Sequence, residues 1–242
     1  PTYTSTLTVT TSISTPPGTY RLTITGTGPC IHGSHSTAVT LIVQSGFEFS
    51  VSATPASRVN VAGTNSSFTA TATLVSGSGT VTWSASGLPT GATYTFVPAS
   101  GSPTFSSTLK VKTSTTTPPG VYTITINGTG PCPHGFHSTT VQLKVMNFTV
   151  KPKTFSPNGN GIKDNTTIKA RFWASLSWTI VIKNSTGAIV RHLATGTSIS
   201  LTQVWNGRND AGTVVPDGTY YVWISGPGFS KKKPVIVDTT IP

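Results

Sequence analysis

Two segments of this chain carry nearly the same sequence, and this repeat constrains the fold more than any other feature. Residues 15–43 read TPPGTYRLTITGTGPCIHGSHSTAVTLIV, and residues 117–145 read TPPGVYTITINGTGPCPHGFHSTTVQLKV. The offset of 102 residues continues without a gap back to Pro1 and Pro103, and roughly two-thirds of the aligned positions are identical. Because this offset is far longer than a solenoid repeat and matches a whole domain, the sequence predicts tandem domains.

The composition predicts that these domains are all-β. Thr, Ser, Gly, Val and Pro dominate, and charged residues make up 9% of the chain. Such a composition suits short strands joined by turns, and no segment shows the apolar spacing of an amphipathic helix. No run of about eighteen apolar residues occurs, so we expect no transmembrane span.

Residues 1–46 align with the second half of the following unit only. Segments 5–12, 19–28 and 36–44 alternate in polarity and are predicted as three strands, with a loop containing Cys30 between the last two. Three strands with one apolar face do not close a sandwich. We therefore expect the missing half either upstream in a longer polypeptide or on a neighbouring subunit that exchanges strands.

Residues 47–148 form one complete unit. The segment has about seven predicted strands with turn signals every 8 to 14 residues, which is typical of an antiparallel β-sandwich. Trp83 lies in the middle of the predicted strand TVTWSAS, where we expect a core residue.

Three phrases of this unit resemble bacterial immunoglobulin-like (Ig-like) repeats. They are SGLPTGATYTFVPAS at 86–100, STLKVKTSTTTPPGVYTITINGTG at 107–130 and HSTTVQLKV at 137–145. The resemblance covers residues 47–148 and, by repetition, 1–46. It implies tandem antiparallel Ig-like β-sandwiches in a secreted or cell-surface protein.

Residues 149–242 carry different motifs. FSPNGNGIKDNTT at 155–167, VWNGRNDAG at 204–212 and PDGTYYVW at 216–223 are similar to the Ig-like domain of the flagellar hook-capping family. The resemblance implies a third Ig-like β-sandwich over this segment. The closing residues VDTTIP read like a linker to a further domain, so the expected partners include other domains of the same polypeptide.

Each repeat contains a short loop with one cysteine and two histidines. A thiolate and two imidazoles within six residues are suitable ligands for zinc or copper, although C-x-H-x-x-H is not an established metal signature. The predicted ligands are Cys30, His32 and His35 in the first loop and Cys132, His134 and His137 in the second.

These loops also permit two other interpretations. Equivalent loops of consecutive sandwiches are expected about a domain apart, which is too far for a Cys30–Cys132 disulfide unless the domains fold back on each other. Intermolecular bonding through either cysteine is therefore one alternative. The other is a structural loop, in which His35 and His137 cap a strand. The Ig-like resemblance favours this last interpretation for the two histidines, because that family often has histidine there without a nearby cysteine.

The segment Asn158–Asn165 resembles the start of a calcium loop. Oxygen ligands fall at alternate positions there, and glycines permit tight curvature. The predicted Ca²⁺ ligands are Asn158, Asn160, the carbonyl of Ile162, and Asp164. In the hook-capping family the residue matching Asn160 is commonly Asp, which implies weaker binding here. The alternative is a metal-free Asx turn in which the Asn side chains bond their own backbone.

The sequence contains five N-x-[ST] sequons. The predicted glycosylation acceptors are Asn65, Asn127, Asn147, Asn165 and Asn184.

The positive charge of the chain is unevenly distributed. Residues 149–242 hold eleven basic residues against four aspartates. Nucleic acid is not predicted as a partner, because only Lys231–Lys233 form a run and no aromatic residues are interleaved with them. Lysines at outward strand positions explain most of this charge.

Catalysis is not predicted. The chain has five acidic residues, no G-x-S-x-G motif and, in the third unit, a single histidine, His192. The expected function is that of a non-catalytic extracellular stalk, surface layer, filament component or spacer. The alternatives are an adhesin-like or glycan-binding module and the accessory tail of a secreted hydrolase. Glycan binding predicts an exposed row of aromatics among Trp173, Trp178, Trp205 and Trp223.

Overall fold

The protein folds entirely as β-structure over the residues that the computed structural model describes, which are 3–12, 14–29, 33–43, 46–131 and 135–240. Within these ranges the chain forms strands, turns and bends and no helix. Consequently, none of the described segments is a helix with the length and hydropathy needed to cross a membrane. The predicted all-β class with antiparallel pairing is confirmed.

The N-terminal unit is a two-stranded hairpin. Strands β1 (Gly18–Thr27) and β2 (Ser34–Val43) pair antiparallel from Gly18 opposite Val43 to Thr27 opposite Ser34. The strand predicted over residues 5–12 is not formed. Its counterpart in the second unit, Phe105–Lys112, lies between two other strands that the first unit does not contain. Without those partners its backbone has no ladder to join.

Apolar side chains of this hairpin are exposed where their counterparts are buried. Ile24 is 40% exposed and Ile126 is 0% exposed, while Val39 is 42% exposed and Val141 is 1% exposed. The second unit buries these positions beneath a facing sheet. The described residues place no such sheet over the first hairpin, so the same sequence pattern is left without a core.

The second unit is a two-layer sandwich. Its strands are β3 (Glu48–Thr54), β4 (Ser57–Val61), β5 (Asn65–Ser76), β6 (Val81–Ser86), β7 (Thr93–Val97), β8 (Ser100–Gly101), β9 (Phe105–Lys112), β10 (Gly120–Thr129) and β11 (Phe136–Lys151). One layer has the order β3-β5-β9-β7, and the other has the order β8-β6-β10-β11, with β4 pairing parallel to β11. Alternate residues of both layers meet in the core, as expected of Ig-like sandwiches.

The core of the second unit includes the tryptophan that the sequence places there. Trp83 is buried and stacks on Phe96, with ring centroids 5.8 Å apart. Further buried members from the two layers are Phe49, Phe68, Leu109, Val111, Ile124, Ile126, Val141, Leu143 and Val145. The predicted core position of Trp83 is therefore confirmed.

The C-terminal unit is a second sandwich. Its own strands are β12 (Thr154–Phe155), β13 (Thr166–Lys183), β14 (Ile189–Trp205), β15 (Gly218–Gly226) and β16 (Phe229–Val237). The first half of β13 pairs with the end of β11, and its second half pairs with β15, while β14 follows β13 along nearly its whole length. A register irregularity between Arg171 and Leu176 separates the two halves. One long hairpin thus contributes to both layers.

Strand β11 belongs to both sandwiches, and its two faces serve different cores. Val141, Leu143 and Val145 point into the core of the second unit. Met146, Phe148 and Val150 point into the core of the C-terminal unit. Because side chains alternate along a strand, these odd and even positions lie on opposite faces. The two cores are therefore packed against opposite faces of one uninterrupted strand.

A tyrosine bonded to a proline four residues earlier recurs in each unit. The hydroxyls of Tyr20, Tyr122 and Tyr220 donate to the carbonyls of Pro16, Pro118 and Pro216 at 2.8, 2.9 and 2.8 Å. The shared sequence is P-x-G-x-Y. This arrangement is a tyrosine corner, which fixes how the chain enters a strand in many Ig-like domains.

We expect Tyr220→Phe to lower the free energy of unfolding by about 1 kcal/mol, because the proline carbonyl loses its partner while the ring remains packed. Chemical denaturation of the whole chain measures the change. Tyr221→Phe is the matched control, since that neighbouring side chain lies on the other face of β15. Equal effects of the two substitutions would contradict a specific role for the corner.

Candidate functional site

The predicted calcium loop folds as a set of internal hydrogen bonds. The Asn158 and Asn160 side-chain oxygens accept from the N–H groups of Asn160 and Ile162 at 3.1 and 2.8 Å. The Asp164 carboxylate accepts from the N–H groups of Gly159 and Gly161 at 2.9 and 2.8 Å. The oxygens selected from the sequence therefore converge on the loop backbone, as in successive Asx turns.

The backbone of this loop alternates between ordinary and left-handed conformations. Gly159, Gly161 and Lys163 have φ values of 81°, 85° and 53°. The Ser156 N–H donates to the Lys163 carbonyl at 2.9 Å and closes the loop at its base. Asp164 is the one carboxylate within it, and no three His, Cys, Asp or Glu side chains in the described ranges are grouped closely enough to hold a metal ion. Calcium binding by Asn158, Asn160, Ile162 and Asp164 stays a prediction.

We expect Gly161→Ala to destabilise the C-terminal sandwich by about 1 kcal/mol, because a Cβ makes left-handed backbone unfavourable. Space is not the cause, since no atom lies within 4 Å of a Cβ built at Gly161. Gly46→Ala is the control: it has the same open space without a positive φ. Thermal unfolding of both variants measures the difference, and equal melting temperatures would contradict the expectation.

The Cys/His loops lie partly outside the described residues. Cys30, His32, Cys132 and His134 are not among them, so zinc or copper binding and intermolecular disulfide bonding stay predictions. What the structure does describe is the closure of each loop. The N–H groups of Gly28 and Gly130 donate to the carbonyls of Gly33 and Gly135, both at 2.5 Å. The two copies thus share their closing hydrogen bond.

The last histidine of the second loop contacts the sandwich. His137 Nε2 lies 2.7 Å from Glu48 Oε1, and its ring packs edge-on against Phe49 with centroids 4.8 Å apart. A metal bound through Nε2 of His137 would therefore have to displace Glu48. The corresponding residue of the first loop, His35, is exposed on β2.

A surface histidine and aspartate form a pair that sequence analysis did not connect. His192 Nδ1 lies 2.7 Å from Asp210 Oδ2, and the His192 N–H donates to Asp210 Oδ1 at 2.9 Å. Arg191 adds a longer contact to Asp210 at 3.7 Å. The hydrogen bonds from His192 lower the pKa of Asp210 below its ordinary value. With their side chains 69% and 50% exposed, the pair joins a hairpin to a loop on open surface and does not line an enclosed catalytic site.

We expect Asp210→Asn to lower the melting temperature near neutral pH and to have little effect in acid. A carboxyl whose pKa is lowered on folding stabilises the fold above its unfolded pKa, and this stabilisation disappears as pH falls through the folded pKa. The difference between wild type and variant should therefore close below the ordinary pKa of 3.8.

Calorimetry of wild type and Asp210→Asn, from neutral pH to below 3.8, measures the difference in melting temperature. Adding His192→Gln to Asp210→Asn should produce little further loss, because both substitutions remove the same contact. A variant whose melting temperature differs from wild type equally at all pH values would contradict this role of the carboxylate.

The four tryptophans of the C-terminal unit do not form an exposed row. Trp178 and Trp205 are buried, and their indole N–H groups donate to Ser198 and to the Arg208 carbonyl. The other two rings are half-buried beneath lysines. Lys144 lies 5.9 Å from the ring centroid of Trp173, and Lys183 lies 4.7 Å from that of Trp223. The sequence-based case for a flat aromatic sugar-binding platform is therefore weakened.

The sequon asparagines differ in accessibility. Asn65 and Asn165 are exposed, whereas Asn127, Asn147 and Asn184 are half-buried. The Asn184 side chain accepts from Ala188 N–H and Thr186 at 2.9 and 2.8 Å within a hairpin turn. Glycosylation stays a prediction, and its most accessible acceptors are Asn65 and Asn165.

The junction between the sandwiches is built from β4 and β11. Val61 at the end of β4 and Met146 in β11 are buried in the core of the C-terminal unit. The Ala62 N–H donates to the Met146 carbonyl at 2.9 Å, which holds the end of β4 against β11. The second unit therefore supplies side chains to the core of its neighbour.

Comparison with known proteins identifies one family. Residues 164–227 match the model of the FlgD Ig-like domain. None of the curated proteins matches the sequence.

Solved structures with detectable similarity include two proteins of Porphyromonas gingivalis and a set of titin domains. PorZ of Porphyromonas gingivalis, described as a surface component of the type-IX secretion system, is 26% identical over 38% of this chain and 11% of its own, with a TM-score of 0.28. Dimeric latent PorU of the same organism is 14% identical over 85% and 22%, with a TM-score of 0.31. A three-Ig-domain structure of titin is 13% identical over 91% and 74%, with a TM-score of 0.35. The chain thus spans about a tenth of PorZ.

Proposed function

Because residues 164–227 form an Ig-like domain of the FlgD type, we propose that the chain is a non-catalytic structural module of an extracellular or cell-surface protein. In this role it is a spacer that sets the distance and orientation of whatever it carries. Ladder hydrogen bonds and sandwich cores do this work, and no reactive group is required.

The observation that carries the proposal is the strand shared by the two sandwiches. β11 pairs with β10 up to Val145 and with β13 from Asn147, so one ladder continues into the next without a linker residue. Inter-domain motion is the usual expectation for domains joined by flexible linkers. Here a bend between the units would break β-ladder hydrogen bonds and expose Val61 and Met146. Such a joint suits a rigid spacer.

We further propose that the N-terminal hairpin is half of another Ig-like sandwich. Its register equals that of β10 and β11 at an offset of 102 residues. The turn before its first strand also repeats one hydrogen bond, from Ser12 N–H to the Thr15 hydroxyl at 2.9 Å and from Ser114 N–H to the Thr117 hydroxyl at 3.0 Å. The exposed Ile24 and Val39 then face the missing layer. Other residues of the same polypeptide or strands of a neighbouring subunit would supply that layer.

The shared strand is tested by inserting Gly-Ser-Gly-Ser between Met146 and Asn147. We expect the wild type to unfold its two sandwiches in one transition and to scatter X-rays as a rigid particle. The insertion should separate the transitions and broaden the distribution of interatomic distances, because it removes the continuous ladder.

The same four residues inserted after Gly187, in an exposed hairpin turn, are the control and should leave the scattering profile nearly unchanged. A wild-type chain whose sandwiches already move independently would contradict the spacer proposal, as would a junction insertion without effect on scattering.

A further inference from the structure

A cleft lined by three lysines lies between the two layers of the C-terminal sandwich. Its volume is about 260 Å³, and its lining residues are Thr149, Val150, Lys151, Lys153, Lys233 and Pro234. One wall comes from the end of β11 and the turn that follows it, and the other comes from β16. The cleft does not involve the calcium loop, the Cys/His loops or the His192–Asp210 pair.

The two strands that border the cleft have unpaired edges there. β13 pairs with one edge of β11 at Thr149–Lys151. β4 pairs with the opposite edge of β11 only as far as Met146, so that edge has no strand partner at Thr149–Lys151 among the described residues. β12 pairs with β16 only at Ile236 and Val237, which leaves the edge at Lys233–Pro234 open. The lysine side chains that line the cleft therefore lie beside strand edges that carry no pairing strand.

The lysines of the cleft repel one another. Burial, followed by the charges of Lys153 and Lys151, lowers the pKa of Lys233 below its ordinary value. None of the three makes an ion pair within the part of the chain that the structure describes. A bound anion would relieve this repulsion and would also replace water around a half-buried ammonium group.

Positive charge continues along the same side of the unit. Lys231 lies two residues before Lys233 on the same face of β16, and its pKa is lowered by burial and then by the charge of Arg58 on β4. The four aspartates of this unit accept hydrogen bonds from groups other than these lysines: Asp164 in the 158–164 loop, Asp210 from His192, Asp217 from Thr239 and Asp238 from Thr240. The basic surface therefore extends from the cleft toward the junction of the sandwiches.

Protection of strand edges is the simpler explanation for some of these lysines. That role requires charges spaced along one unpaired edge. It does not require three lysines from two different strands and a turn to converge on a common cleft. Lys233 Nζ lies 5.9 Å from the ring centroid of Phe148, but this ring supplies no negative charge, so the half-buried ammonium group remains costly beside its like charges.

We propose that this cleft binds phosphate groups of an anionic polymer. Lysine ammonium groups bind phosphate as point charges, and Thr149 at the rim supplies a hydroxyl donor. The row through Lys231 and Arg58 gives successive charged groups of one polymer further contacts. In a surface protein, such a site would attach the spacer to a phosphate-bearing polymer of its own envelope.

The experiment measures binding of inorganic tripolyphosphate to the whole chain by calorimetry at low salt. The cleft variant carries Lys151→Gln, Lys153→Gln and Lys233→Gln. The control variant carries Arg21→Gln, Lys110→Gln and Lys112→Gln, which removes the same net charge from exposed strand positions elsewhere. We expect saturable binding by wild type and control, weakened at least about tenfold in the cleft variant.

Two results would overturn the proposal. Equal weakening in both variants would assign the binding to net charge, and a wild type that binds neither tripolyphosphate nor phosphatidylglycerol vesicles would remove the site. Vesicles with and without phosphatidylglycerol separate the sources of phosphate. Vesicle binding that needs the cleft lysines, without tripolyphosphate binding, would assign the cleft to lipid headgroups instead. Thermal melting of each variant verifies that it is folded.

Discussion

The continuous hydrogen-bonded ladder of β11 is the interaction on which the rest of the structure depends. Its first part completes a layer of the second sandwich, and its last part begins a layer of the next. Backbone groups of a strand must be paired or hydrated, so ending either ladder at the junction would expose them. The same strand supplies apolar side chains to both cores. Neither sandwich is therefore independent of the other, although each has its own core.

Much of the fold follows from sequence patterns because period-two alternation and turn residues are local. The repeat, the all-β class and the core position of Trp83 were all accessible in this way. The strand over residues 5–12 was predicted wrongly, because alternation reports a preference and says nothing about whether partner strands exist. The tyrosine corner was not predicted in any of the three units, because the hydrogen bond from the tyrosine hydroxyl to the proline carbonyl depends on how the chain turns into the strand.

The candidate sites also show that sequence patterns predict local groupings but not contacts between distant residues. The oxygens of Asn158, Asn160 and Asp164 were identified as a group from spacing alone, since one short loop holds them all. The pairing of His192 with Asp210 joins residues 18 positions apart and depends on how a loop returns to the hairpin. The lysine cleft draws on two strands and a turn. The run Lys231–Lys233 is visible in the sequence, but which of its members face inward depends on how β16 packs.

The alternation of β11 has a consequence for how a chain of such domains runs through space. Odd residues up to Val145 face one core, and even residues from Met146 face the next, so consecutive sandwiches sit on opposite sides of their common strand. Because side chains alternate between the two faces of a strand, the sides on which the two sandwiches lie depend on whether the number of residues at the joint is odd or even. A joint longer by one residue would bring both sandwiches to the same side and turn a staggered array into a one-sided one. In an array built with this joint, the side on which each sandwich lies would therefore depend on whether the joint has an odd or an even number of residues.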